Sequence, residues 1–371
     1  MGERYDNLDG LRAISCLCII AMHIEANARF SLNSTFAGVV SSWTHLVPLF
    51  LMISGFGMFC GYYNRFRRGD IALNDFYKKR YKKILPFFAA MLVLDMTVSH
   101  SFSHLIEGIT LSTLVFGLLP NNQPEVIGVS WTIGIIFLFY MLFPFIVFLF
   151  WTKKRAVFVF LMSIAISLFC SSYYFSDRFV VNGFAARNNF LYSAPWILGG
   201  GIVYLFRDEF KELSVRHRRS LLCLCVLLTC IWYVVPGSGS GTMMLKNLFL
   251  FIPWLSYAIS GKSIILSNRM MKYLSGISLE MYLAQMVVFR ILEKLKILYI
   301  AGDGWLGFVF TWGLLVAVLI VFIESWKICW NRVMILITKC QNWFSSTVVG
   351  YLTTHVMAYV VPSGREENNM F

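Results

Sequence analysis

The first residues able to do chemistry lie near the start of the chain. Asp9, Arg12 and His23 interrupt an otherwise apolar run, LDGLRAISCLCIIAMH, residues 8–23. An arginine fork grips pairs of phosphate or carboxylate oxygens, and a neutral imidazole takes a proton from a hydroxyl. Arg12 and His23 are eleven residues apart. On an α-helix that is three turns and about 20°, so both lie on one face, about 16 Å apart along the axis. One face then reaches two regions of a single cavity. An ionisable group at depth in a membrane segment is a functional candidate by default. The plainer alternative stays open, in which Arg12 snorkels to headgroups and His23 with Glu25 marks the far interface. Asp9 reads as a cap or polar partner at the helix start.

Further candidates lie downstream. FLMISGF (50–56) puts Ser54 beside Gly55, where small residues let helices approach or break. RYKKILP (80–86) sets Arg80 and Lys83 just inside the next apolar run; Arg80 offers a planar fork and Lys83 a point charge. WTIGIIFLFYMLFP (131–144) opens on Trp131, and SGISLEMYLAQ (275–285) carries Glu280 into an apolar segment. Each has a structural reading too: helix packing for Ser54, an interfacial belt for Trp131, an ion pair for Glu280.

The elements that must position these residues are membrane helices. The chain has 371 residues, 58% of them hydrophobic and 14% charged, against about a quarter charged in a soluble domain. Only helices or closed barrels span lipid, and barrel alternation is missing, so the fold class is all-α and polytopic. Ten spans are expected, at 8–28, 44–63, 84–99, 131–151, 156–175, 190–206, 221–235, 245–261, 275–293 and 305–326. A stretch at 343–361 is a possible eleventh span or a surface-lying helix. Residues 1–326 form the membrane domain, and 327–371 an amphipathic or extra-span segment with a polar tail. Segment 100–130 holds His100, His104 and Glu107, and suggests a re-entrant or interfacial helix with a polar loop; PGSGSG (236–241) suggests a flexible linker.

The net charge of +13 sits in the gaps between spans. Topology explains it before nucleic acid does, since cytoplasmic loops collect Lys and Arg. Gaps 64–83, 152–155 and 207–220 are basic, whereas 100–130 has no Lys or Arg. With ten spans, both termini face the cytoplasm. The nine cysteines lie mostly in apolar runs, without a CxxC pair or zinc-site spacing, so no metal is expected. No cleavable signal peptide is expected either.

In order along residues 8–326, these segments resemble the membrane-bound acyltransferase family 3, whose members O-acylate surface polysaccharides and lipids. LDGLRA followed by a helix ending in His23 is similar to the family's opening motif, with ten residues between the Arg and the His. FLMISGF resembles FFxxSGF, FYKKRYKKILP resembles FYxxRxxRIxP, the Trp131–Pro144 stretch resembles WSLxxExxFYLxxP, and SGISLEMYLAQ resembles GxxSYxxYLxH. Glu324 falls where the family often carries Glu-x-Pro. The chain departs from the pattern at Lys83 (for Arg), Ile136 (for Glu), Gln285 (for His) and Trp326 (for Pro).

The resemblance implies a plasma (inner) membrane enzyme with no tightly bound cofactor. Its donor substrate would be an acyl-CoA, most often acetyl-CoA, arriving from the cytoplasm. Its acceptor would be a sugar hydroxyl of a surface glycan or lipid-linked precursor. His23 would be the general base, with Arg12, Arg80, Lys83 and Ser54 toward the donor. Asp9, Trp131 and Glu280 would bind substrate or support the site. A transporter or flippase for glycolipids or anions shares the many spans and the basic face, but no matching pair of broken helices in two halves is evident. A catalytically degenerate member of the family is the other alternative, and Ile136 is its best argument.

Overall fold

The computed structural model describes residues 5–99, 101–114, 116–118, 124–176, 178–180, 184–261 and 263–355. His100 and residues 119–123 of the expected polar loop lie outside these. All regular structure among the described residues is helical, as lipid demands of a backbone with no water to bond. In order, the helices are α1 (Asp6–Asn27), α2 (Ser34–Ser42), α3 (Leu46–Met58), α4 (Asn64–Arg68), α5 (Leu73–Ser99), α6 (Phe102–Ser112) and α7 (Trp131–Leu149). Then come α8 (Lys153–Phe169), α9 (Phe190–Leu205), α10 (Arg207–Val234), α11 (Gly239–Ile259), α12 (Arg269–Gly276), α13 (Ser278–Lys294) and α14 (Trp305–His355).

Among the described residues, seven helical stretches are long and apolar enough to cross a membrane, or eight if the bent pair α12–α13 is one span. Ten were expected. The shortfall falls on three segments. The apolar part of α5 carries Asp95 and follows directly on a charged stretch, α9 has only 16 residues, and α12 and α13 meet at 65°. Each remains a helix; what differs is unbroken apolar length. The expected linker at 236–241 is already helical from Gly239. The expected division at 326–327 is crossed by α14, which runs unbroken for 51 residues. Residues 314–349 contain no Gly or Pro, so nothing punctuates the helix there. The possible eleventh span is therefore continuous with the tenth as far as His355; residues 356–361 lie outside the described part.

The chain divides into two compact units, Met1–Leu319 and Ile320–Phe371. In the second, Trp326 and Trp330 stack one turn apart and Lys327 pairs with Glu324 at 2.8 Å. The first unit holds every candidate site residue. Its tightest seam joins α3 to α9. An added Cβ at Gly55 would collide with the Ile197 carbonyl, and one at Gly200 with the Met52 carbonyl. Small residues bring these two backbones into contact, the usual device of helix packing in lipid. Around α3, Phe56, Phe59, Phe143, Phe150 and Tyr204 pack ring against ring.

Two local features set the site's framework. Gly69, in the left-handed region at φ 73°, ends α4. The basic gap then closes after three residues, because α5 starts at Leu73 and carries residues 78–83 on its own first turns. Arg80, Lys83 and Ile84 thus share a face at i, i+3 and i+4; the lysines at 78, 79, 82 and 83 are all exposed, and of these only Lys83 lines the cavity described below. At the other side, the N-terminus of α1 is pinned to α12. Asp6 pairs with Lys272 at 2.8 Å, and Ser275 Oγ donates to Asp9 at 2.8 Å. Asn7 is buried, donating to the carbonyls of Ala258 and Gly261 and accepting from Ser263 N–H.

Candidate active site

Arg12 and His23 open onto two separate cavities rather than two regions of one. The first, about 260 Å³, is built from α1, α3, α5, α7 and the α12–α13 bend. Arg12, Arg80 and Lys83 line it with Ser54, and Glu280 is the one carboxylate among its lining residues. Five of the sequence candidates therefore meet in one place although they come from four parts of the chain.

Each is held for a physical reason. Arg12 is half-buried, and its Nη2 lies beside Gly57, where an added Cβ would sit 3.9 Å away. Asp9, one turn earlier, acts on it electrostatically. The helix begins at Asp6 with Tyr5 at the cap position, so Asp9 is no cap; it is a polar partner to Ser275. Arg80 is caged by aromatic rings: its guanidinium carbon is 4.6 Å from the Tyr62 centroid and 5.5 Å from that of Tyr140. It also donates to Tyr62 Oη, and Met58 Sδ lies 3.6 Å from its Nη1. Such stacking fixes the plane of the fork. Ser54 Oγ donates back to the Phe50 carbonyl at 2.9 Å, which leaves its lone pairs toward the cavity.

The bend between α12 and α13 brings Ser278, Leu279 and Glu280, the first turn of α13, to the cavity wall. A helix start presents backbone N–H groups and partial positive charge. Three cationic side chains and a helix N-terminus against one carboxylate give the cavity a net positive lining. Ile136 of α7 lines the same cavity as Glu280. The carboxylate missing from α7 thus has a counterpart on α13, inside the same cavity.

The second cavity, about 530 Å³, lies at the other end of α1. His23 and Asn27 line it with His104 from α6, Pro124, Glu125, Gly128 and Val129, and Met286 and Arg290 from α13. Arg290 is clamped by Asp95 at 3.0 Å; the Asp95 side chain is 2% exposed and that of Arg290 38%, so the guanidinium meets the cavity while its counter-ion stays inside. His104 Nε2 is 3.6 Å from Glu125. Glu107 accepts from the N–H groups of Glu125 (2.7 Å) and Val126 (3.3 Å), anchoring the segment that forms one wall. Burial raises the Glu107 carboxyl above its ordinary range, against those two hydrogen bonds.

Trp131 lines neither cavity. It is 6% exposed, and the guanidinium of Arg187 lies 5.7 Å from its ring centroid. This removes it from a lipid-facing belt, where exposure is needed. Arg187 also acts electrostatically on His23. The sequence reading passed over Arg187, Tyr140, Asp95 and Arg290. Asp95 and Arg290 were detectable in principle, as opposite charges within two expected spans. No group of three or more potential metal ligands occurs among the described residues.

The family model described as an acyltransferase domain, family 3, matches residues 5–325. That is nearly the whole chain, and the chain belongs to that family of multi-pass membrane acyltransferases. No curated protein and no solved structure matched it.

Proposed function

We propose that the protein moves an acyl group, most simply acetyl, from acyl-CoA to a sugar hydroxyl of a surface glycan or its lipid-linked precursor. The observation that carries this reading is α1 itself: one helix supplies Arg12 to the anion-receptive cavity and His23 to the polar cavity at its other end. A donor with phosphates at one end and a thioester at the other suits such a pair of sites.

The phosphates of the donor are held by Arg12, Arg80 and Lys83 with the α13 N-terminus, and Ser54 adds a hydrogen bond. Glu280 balances and orients the cations. The acceptor binds in the polar cavity against Asn27, His104 and Arg290. Its hydroxyl oxygen attacks the thioester carbonyl while neutral His23 takes the hydroxyl proton. The C–S bond breaks, the CoA thiolate leaves, and the proton on imidazolium returns to solvent or to the thiolate. Orientation follows from charge: the basic stretches lie at the Arg12 end, which is cytoplasmic by the positive-inside rule, in a plasma (inner) membrane. With His23 toward the far face, the acyl group crosses the bilayer as it is transferred.

The test is acetyl transfer in membranes carrying wild type or His23→Ala, with labelled acetyl-CoA and the host's surface glycans. Label in glycan with wild type alone supports the reading. Equal label with both variants removes His23 from the chemistry.

A further inference from the structure

A third cavity, of about 480 Å³, takes no part in the scheme above. It lies on the side of α1 that carries Leu11 and Ile14, between α3 and the α10–α11 hairpin. Its walls are almost wholly apolar, with Leu49, Leu222, Phe251 and Trp254 among them. The polar atoms of the aromatic walls are turned to protein partners. Trp254 Nε1 donates to Thr229 Oγ1 at 3.1 Å, and Trp232 Nε1 to Asn247 Oδ1 at 3.2 Å. Water gains nothing in such a space.

The cavity also lies at the edge of the protein. In the apolar stretch of α10, His217–Val234, only 6% of residues are buried inside the chain, so this helix faces lipid. The lining runs along α10 from Leu222 to Trp232. Ten helical residues span about 15 Å, which is the hydrocarbon depth of one leaflet. One end is cationic. Arg218, one turn before Leu222 on the same face, stacks at 4.8 Å over the ring of Tyr257, which lines the cavity beside Ser263. That end is level with the charged stretch that opens α10, where a headgroup would sit.

We propose that this cavity is a binding site for one membrane phospholipid of anionic headgroup, its acyl chain lying between α1, α3, α10 and α11 and its phosphate at Arg218. The lipid fills the gap behind a peripheral hairpin and buttresses the face of α1 that carries Leu11, Ile14 and Ser15, about a quarter-turn from Arg12. This site does not depend on the acyl-transfer reading, and it is tested by binding alone.

The probe is brominated-chain phosphatidylglycerol, with brominated phosphatidylcholine as comparison, at low mole fraction in vesicles holding the full-length protein. The fluorescence of Trp254 is isolated as the difference between wild type and Trp254→Phe, after both give the same thermal midpoint. The expected result is quenching of that component, and of Trp43 and Trp232, which share the lining, at mole fractions several-fold below those that quench the tryptophans outside the cavity, saturating near one lipid per chain. Arg218→Gln should erase the preference for phosphatidylglycerol, and Leu222→Phe, which narrows the cavity without adding an indole, should weaken the quenching. Quenching that merely follows the bulk mole fraction would mean ordinary surrounding lipid and overturns the site. A headgroup preference that survives Arg218→Gln overturns the placement of the phosphate.

Discussion

Arg12 and His23 leave α1 for different cavities, the first among cations that suit phosphate, the second beside His104 and Arg290. Their losses should therefore separate kinetically. Arg12→Ala removes charge-assisted hydrogen bonds of about 1.5–3 kcal/mol, so the donor KM should rise roughly ten- to a hundredfold. His23→Ala should leave donor binding intact and lower kcat by about 10²- to 10⁴-fold, the usual range for a lost general base. Donor titrations of both variants in the same membranes decide it. A common change in donor KM would contradict the separation.

Ile136 and Glu280 both line the first cavity, although they belong to α7 and α13. A carboxylate on either helix would face the cavity that these cations line. Glu280→Leu should leave Arg12, Arg80 and Lys83 repelling one another, with activity down about tenfold or more and a lower thermal midpoint. Adding Ile136→Glu to Glu280→Leu should restore part of both. If the double variant is no better than the single one, the position of the carboxylate matters more than its charge.

Much of this was legible in the sequence, for reasons that differ residue by residue. The common face of Arg12 and His23 follows from helical period, and the union of Arg80 with Lys83 from an i, i+3 spacing that needed only α5 to begin early. The meeting of Ser54, Arg80 and Glu280 was legible through motif order, not through physics. Two things were not readable. Whether one cavity or two lay along α1 depends on side chains from α6, α7 and α13, whose packing no local pattern records. Trp131 read as an interfacial or sugar-stacking ring because aromatics at span ends commonly are; the burial that places it under Arg187 is tertiary. Fewer helices than the ten expected spans meet a span's apolar length where that length is shared across a bend, as at Ile277, or begun by charges, as in α5.

The α3–α9 seam carries Ser54 beside Gly55, so packing there should reach the site. Gly200→Ala places a methyl group against the Met52 backbone, and backbone cannot swing aside as a side chain can. Overpacking of this kind costs about 1–3 kcal/mol. The variant should insert but melt earlier in detergent. Gly61→Ala, where an added Cβ meets nothing within 4 Å, is the control and should melt like wild type. Equal melting of Gly200→Ala and wild type would show that the seam can part without loss.

Glu107 makes the last case, because it ties the Glu125–Val126 backbone to α6 at a wall of the His23 cavity. Its carboxyl titrates above the ordinary range because it is desolvated. A raised carboxylate pKa means that the folded state prefers the proton. That preference contributes stability fully below the unfolded pKa and is lost as pH rises through the folded value. Near neutrality the ionised group is thus a cost that its two backbone donors only partly offset. Glu107→Gln keeps an acceptor oxygen without the charge, so it should melt higher than wild type at pH 8, and the gap should close as pH falls toward the carboxylate range. Glu107→Ala leaves both N–H groups without that acceptor. It should raise the acceptor KM severalfold while leaving the donor KM unchanged, since the wall it loosens belongs to the second cavity alone. A Gln variant less stable than wild type at pH 8 would mean that the hydrogen bonds to the charged form outweigh its desolvation.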